Sequence, residues 1–345
     1  MSSRPHLRHE QPMHWFSLTR AAVRACLWAV APLAPLALCL APAQAQDYPN
    51  RAIRMIVPFA PGGATDIPAR LLAPKLSEVL GQQVVVENRP GAGGIIGIEA
   101  ASKSAADGYT LLMATNGEFV MNTAIYTKLP YDPVRDFAPI AIVVENPMLI
   151  VVPTNSPYNS LADLLSAARA KPGALAYSTA GTGSTSHVLT ELLAAEAGVK
   201  LLHVPYKGGA PASAAVASGE VGLSLISLGS ALNFVKGGKA KALAITRATR
   251  HPNFPEWPTV KESGVPNFAE SIWIGLAAPT GTPREIVNRL STEVGRALRS
   301  NELRERLAAM GSEPVGTTPD EAAARIRREI ARYTPVIKQA GIRAE

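Results

Sequence analysis

The chain of 345 residues has only two cysteines, Cys26 and Cys39, and none beyond them. That scarcity excludes disulfide staples, thiol nucleophiles and thiolate metal sites from the remaining three hundred or so residues. Histidine is also thin there: His187, His203 and His251 stand far apart, which gives no metal-ligand spacing. No Gly-Lys-Ser/Thr phosphate loop occurs. The run Gly181-Thr182-Gly183-Ser184-Thr185-Ser186 puts Ser186 where a dinucleotide fingerprint needs its third glycine, so nucleotide binding is set aside. A Gly-x-Ser-x-Gly nucleophile elbow is missing as well.

What is present begins with a leader. Arg20 and Arg24 precede an apolar run from Ala25 to Leu40, and Ala43-Gln44-Ala45 is a small-x-small cleavage site. Residues 1–45 therefore read as a secretory signal peptide, with Met13 as an alternative start and Gln46 as the mature N-terminus. Pro32 and Pro35 interrupt the run, which is too short for a membrane span. A lipid-anchored start at Cys39 is disfavoured by the bulky Leu38 before it. Leaving out four leader arginines and Glu10 reduces the net charge from +7 to +4. Much of that excess lies in Arg284 to Arg343, where Arg, Lys and Glu alternate along helical patterns. This is a solvated helix face, and no nucleic-acid partner is expected.

The mature chain is organised around Ile53 to Arg70. An apolar run to Phe59 has the length of a buried strand, Pro61-Gly62-Gly63 breaks it, and Asp66 with Pro68 opens a helix. Glycines let a ligand approach the backbone, Thr65 and Asp66 are helix-capping residue types, and the free N–H groups of a first helical turn suit an anion. A carboxylate is expected here, meeting Asp66 only through water or its backbone because two carboxylates repel.

The chain then alternates strands and helices. Strands are expected at Gln83–Glu87 and Thr110–Ala114, with Thr115-Asn116-Gly117 at the end of the latter, and Pro74 should bend or interrupt the first helix. Pro139 to Val152 reads as two apolar runs split by Glu145-Asn146-Pro147, with the chain crossing into a second lobe at Leu149–Pro153. That lobe repeats strand, glycine turn and helix through Ala174–Thr179, Gly181–Gly183 and Ser184–Ala197. Further strands follow at Leu201–Tyr206, Val221–Ser227 and Ala240–Thr246. The proline-rich stretch Arg247 to Gly264 reads as a surface loop with His251 exposed, and Glu270–Pro279 as a strand returning to the first lobe. The fold class is α/β, with two mostly parallel sheets flanked by helices. The lobes divide as 46–149 with 271–345, and 150–270, and two crossings between them imply a hinged cleft that closes on a small molecule.

DYPNRAIRMIVPFAPGGATDIPARLLAPKL, VVVENRPGAGG, DGYTLLMAT, AYSTAGTGSTSH, HVPYKGGAPA and WIGLAAPTGTP resemble, in order, the signature blocks of the Bug family. These are the extracytoplasmic solute-binding proteins of tripartite tricarboxylate transporters. The resemblance implies a periplasmic, monomeric, Venus-flytrap protein of type II-like architecture, with no cofactor and no enzymatic activity. Its partners would be a small carboxylate and the membrane subunits of such a transporter. The resemblance places the ligand between the Phe59–Asp66 and Gly181–His187 loops. Carried over, Phe59, Gly63, Ala64, Thr65 and Asp66 serve the first lobe and Thr182, Gly183, Ser184 and Thr185 the second, with Thr115, Asn116 and Tyr206 next in rank. One block departs: Ile226 and Ser227 replace the acid and amide that many members carry. That points away from amino acids and toward a plain mono- or dicarboxylate, with an aromatic acid favoured if Phe59, Phe119 or Trp273 faces the cleft. Two other readings stay open: a secreted serine hydrolase built on Ser184 and His187, and a ligand sensor for a signalling partner.

Overall fold

The computed structural model describes residues 48–343; the expected signal peptide lies outside the described residues. Strand β1 (Ile53–Val57) is an apolar run with only Arg54 off the core. It pairs in parallel with β2 (Val84–Asn88) and β3 (Thr110–Thr115). Parallel neighbours need crossover connections, and helices α1 (Asp66–Leu80) and α2 (Ile95–Ser102) provide them. Helix α1 runs through Pro74 without interruption. Leu71, Leu72, Ala73 and Leu76 bury its face around the proline, so packing outweighs one lost backbone hydrogen bond.

After a wide turn at Gly117–Met121 and the short helix α3 (Asn122–Ile125), the expected pair of apolar runs is a single 17-residue strand, β4 (Phe137–Pro153). Glu145-Asn146-Pro147 does not break it. Those residues pair antiparallel with Trp273, Ile272 and Ser271 of β9 (Ser271–Pro279), and register shifts at Pro139/Ala141 and Ile142/Val144 absorb the irregularity.

From Met148 onward the same strand pairs with β7 (Leu223–Ser227) and β8 (Ala240–Ile245). Beyond β7 lie β5 (Ala176–Thr179) and β6 (Leu202–Pro205), all three parallel. The order is β2-β1-β3-β9-β4-β7-β5-β6, so β4 is shared by two sheets whose outer strands are parallel and whose shared strands are antiparallel. The second sheet carries α4 (Leu161–Ala170), α5 (Thr185–Ala197), α6 (Gly209–Ser218) and α7 (Leu228–Lys236). The chain ends with α8 (Arg284–Leu298), α9 (Asn301–Ala309), the short β10 (Glu313–Pro314) on β4, and α10 (Pro319–Gln339).

One exposure expectation is corrected. His251 is 3% exposed, not solvated. Its ring lies 5.1 Å from Phe254, which stacks on Trp257 at 4.9 Å. Aromatic residues at threefold spacing give this proline-rich segment an apolar face to bury, and the histidine goes with it.

Candidate functional site

The glycine turn after β1 is held by one buried carboxylate. Asp66, 2% exposed, accepts from the Gly62 N–H at 2.8 Å, from Asn88 Nδ2 at 2.9 Å and from Arg70 Nε at 2.9–3.0 Å. Asn88 also donates to the Phe59 carbonyl at 2.9 Å. Asp66 therefore sets the shape of the loop, with its carboxylate turned to protein partners. Asp66→Ala leaves these donors without their acceptor and is expected to cost about 1–3 kcal/mol in a urea unfolding curve, with Asp66→Asn losing less.

Beside that loop is a small cavity of about 30 Å³. It holds water-sized molecules only. Its polar wall is made by the starts of four helices: Gly63, Ala64 and Thr65 at α1, Ser184, Thr185 and Ser186 at α5, Gly209 at α6 and Ser227 at α7. Each start carries unpaired N–H groups and the positive end of a helix dipole, equivalent to roughly half a charge. No lysine, arginine, histidine or acid lines the cavity, so its positive potential comes from backbone. Thr65 is 1% exposed, and its hydroxyl has no hydrogen-bond partner among the described residues. A buried unpaired hydroxyl is costly unless something else accepts from it. Phe59, Met148, Ile226 and Ile272 add large apolar side chains to the lining.

Hydrogen bonds cross from the first sheet's loops to the second's around this cavity. The Gly117 N–H reaches Thr185 Oγ1 at 2.9 Å, Thr185 Oγ1 donates to Asn116 Oδ1 at 3.0 Å, and Thr115 Oγ1 lies 2.9 Å from Thr185 Oγ1. The Tyr126 hydroxyl donates to the Thr182 carbonyl at 3.0 Å and the Ala60 N–H to the Lys207 carbonyl at 3.0 Å. Behind Thr115 sits Glu118, 1% exposed. Its Oε2 accepts from the Thr115 N–H at 2.8 Å and hydroxyl at 2.6 Å. Burial raises this carboxyl to about 7, against the lowering effect of the Thr115 bonds.

Of the residues singled out in the sequence, Phe59, Gly63, Ala64, Thr65, Thr115, Ser184 and Thr185 meet at the cavity. Asp66 shapes the loop, and Asn116 donates to the Ser271 carbonyl at 3.1 Å while accepting from Thr185. Thr182 offers its carbonyl to Tyr126, the Gly183 N–H points to His187, and the Tyr206 hydroxyl donates to Glu220 at 2.6 Å. None of these five lines the cavity. Phe119 and Trp273 stack on each other in the core at 6.0 Å, leaving Phe59 as the aromatic wall. Reading the sequence missed Met148, Ala180, Ser186, Gly209 and Ile272, and Glu118 behind them. Gly209 begins a helix, a local signal that could have found it; Met148 and Ile272 come from the shared strands and depend on register.

The Ser184–His187 pair is not set up as nucleophile and base. Ser184 Oγ donates to the Gly181 carbonyl at 2.6 Å and caps α5 by accepting from the His187 N–H at 3.4 Å. His187 Nδ1 accepts from the Gly183 N–H at 3.2 Å, and its ring stacks on His203 at 4.0 Å. Burial, with His203 adding to it, lowers His187 to about 3. His203 bonds Thr179 at 2.7 Å and is structural.

Residues 68–342 match the tripartite tricarboxylate transporter family receptor. Protein BugT of Bordetella pertussis is 39% identical over 302 residues, covering 87% of this chain and 93% of BugT. Among solved structures, Rpa4515 of R. palustris with adipate aligns at a TM-score of 0.83 and 40% identity, over 86% of this chain and 99% of that one. MatC from Rhodopseudomonas palustris with bound malate aligns at 0.81 and 34%, over 84% and 100%. These matches run over most of both chains, and the chain belongs to the receptor family of the tripartite tricarboxylate transporters, among the Bug proteins.

Proposed function

We propose that this protein is a periplasmic receptor that captures a small carboxylated metabolite and delivers it to the membrane subunits of a tripartite tricarboxylate-type transporter. The observation that carries the reading is the ring of four helix starts around an unpaired Thr65 hydroxyl, with no cationic side chain. Backbone N–H groups and hydroxyls in that arrangement accept a carboxylate without an ion pair. Adipate and malate in two related structures support the ligand class. The lobes are 46–149 with 271–345, and 150–270, and the ligand enters when they part, since about 30 Å³ is smaller than any organic acid needs.

Within the class, the wall of Phe59, Met148, Ile226 and Ile272 favours an acid with a methylene or aromatic body. Ile226 and Ser227, where many members carry an acid and an amide, both line the cavity, so no carboxylate waits there for an ammonium group. Ser184 and Thr185 contribute hydroxyls and N–H groups, not chemistry. Capture then needs only a higher affinity for the closed arrangement.

A thermal-shift screen of residues 46–345 against mono-, di- and tricarboxylates, amino acids and aromatic acids tests this. A ligand at a hundred times its dissociation constant stabilises by about 2.7 kcal/mol, so adipate-like acids are expected to raise Tm visibly and glutamate is not. Stabilisation by amines or sugars alone would sink the reading.

A further inference from the structure

We infer that Glu118 is a positioning residue of the site that takes up a proton when an anionic ligand is bound between the halves. The inference rests on the carboxylate reading above and on a count of hydrogens. Three oxygen–oxygen links join Glu118 Oε2 to Thr115 Oγ1, Thr115 Oγ1 to Thr185 Oγ1, and Thr185 Oγ1 to Asn116 Oδ1, at 2.6, 2.9 and 3.0 Å. The amide oxygen of Asn116 brings no hydrogen. With Glu118 ionised, the two threonine hydroxyls supply two hydrogens for three links, and the Thr115–Thr185 pair is left with only the Gly117 N–H, shared between the two oxygens at 3.1 and 2.9 Å. With Glu118 protonated, the carboxyl donates to Thr115, Thr115 to Thr185, and Thr185 to Asn116. Every link is then filled, and the hydroxyls across the cleft point one way.

The surroundings favour the same state. Glu118 Oε1 is buried without a hydrogen-bond partner, a poor place for a full negative charge. No cation offsets it among the described residues. The Tyr131 hydroxyl donates to the Glu118 main-chain carbonyl at 2.9 Å, and Asn122 donates to Tyr131 at 2.9 Å. Tyr126, the other phenol of that segment, reaches across to Thr182. From α5 come Thr185 and His187, whose ring stacks on His203. From α10, Arg325 pairs with Glu145 and Glu329, and Glu329 accepts from Trp273. A β-carbon added at Gly94 would come within 3.4 Å of Glu118 Cγ, so a glycine leaves room for this side chain.

Thr115 also lines the cavity, so a bound carboxylate lies one hydroxyl away from Glu118. The two anions repel, which raises the Glu118 carboxyl further in the complex. A group raised on binding takes up a proton as the ligand enters, so affinity is higher at acid pH and falls as pH rises toward the complex's value, by at most about tenfold per pH unit for one proton.

The test is titration calorimetry with adipate between pH 5.5 and 8.5, in phosphate and in Tris, whose different ionisation heats report protons exchanged. The expected result is net proton uptake in the wild type and little or none in Glu118→Gln. Adipate binding without uptake, or equal uptake in Glu118→Gln, would overturn the inference. If adipate and the other acids fail to bind, the functional reading fails instead, and the carboxyl is judged directly by ¹³C NMR of glutamate-labelled protein. A resonance missing from Glu118→Gln that titrates near neutrality supports the hydrogen count, and one that titrates below pH 5 refutes it. Thr185→Val cuts the same chain from the other side, and is expected to reduce uptake if Glu118→Gln does not fold.

Discussion

Gly93→Ala is expected to abolish ligand binding while leaving the fold in place. Gly93 sits in the second glycine turn at φ +62°, and a β-carbon there would overlap the carbonyl oxygen of Thr182, the atom that accepts from Tyr126 across the cleft. The obstruction is backbone on both sides, so no rotamer change relieves it. Left-handed geometry alone costs alanine about 1–2 kcal/mol, which a protein of this size tolerates. Keeping the two glycine turns apart costs far more, because the contacts of Thr185 and Thr182 are all lost together. Calorimetry with the best carboxylate from the screen is expected to show at least a roughly hundredfold weaker Kd, equivalent to about 2.7 kcal/mol, with Tm lowered by only a few degrees. Gly173→Ala is the control. Gly173 has φ +77° with open space where the methyl would go, so it carries the strain without the obstruction and should bind normally. Undiminished affinity in Gly93→Ala would show that closure does not bring these turns together.

Trp273→Ala is expected to give the largest loss of stability. The side chain is 1% exposed, stacks on Phe119 at 6.0 Å, lies 5.5 Å beneath the Arg325 guanidinium and donates to Glu329 Oε2 at 2.7 Å. Removing a buried tryptophan costs about 3–5 kcal/mol through transfer and cavity terms, and Glu329 loses its buried donor as well. For a chain of this length that is a fall in Tm of roughly 10 °C, readable by calorimetry. Trp273→Phe keeps the stack but not the hydrogen bond and should fall between.

The neighbouring Glu145 adds an acid limb. Burial pushes its carboxyl up, but hydrogen bonds from Ser271 and Arg325 outweigh this and hold it below the ordinary value. A carboxyl lowered by folding stabilises the protein at neutral pH, and that contribution fades as pH falls through its folded value. Glu145→Gln should therefore flatten the acid side of a Tm-against-pH profile. An unchanged profile would show that the ion pair with Arg325 contributes nothing measurable.

The parts of this molecule that the sequence makes legible are those governed by local chemistry. Pro61-Gly62-Gly63 and Gly181–Gly183 announce turns, and Ser184 announces a helix start that it does cap; of the two like segments Thr282-Pro283-Arg284-Glu285 and Thr318-Pro319-Asp320-Glu321, both readable as capping boxes, Thr318 caps its helix while the Thr282 hydroxyl donates to the Pro279 carbonyl instead, and the strands lie within a few residues of their apolar runs. Asp66 was legible as a helix-start residue but not as the acceptor that ties Gly62, Asn88 and Arg70 together. That role needs β1 and β2 side by side. Glu118 gave no signal, since it follows a strand in an ordinary-looking turn, and its burial arises only when Thr185 of the other half arrives at Thr115. Pro147 misled for a similar reason: a proline at a run's end looks like a break until a partner strand shows which N–H groups the ladder requires. His251 misled because prolines suggested solvent, while Phe254 and Trp257 decided the matter.

Strand β4 pairs with β9 and β10 at one end and with β7 and β8 at the other. Neither sheet is complete without it, so neither half can melt and leave the other with its hydrogen bonds satisfied. Loss of the second sheet would bare the apolar edge from Met148 to Val152, all of it buried in the native protein. The two-lobed outline therefore conceals a single cooperative unit: heat or denaturant should dissolve both halves in one transition, and a half cut out on its own would carry a sticky, unpaired strand into solution.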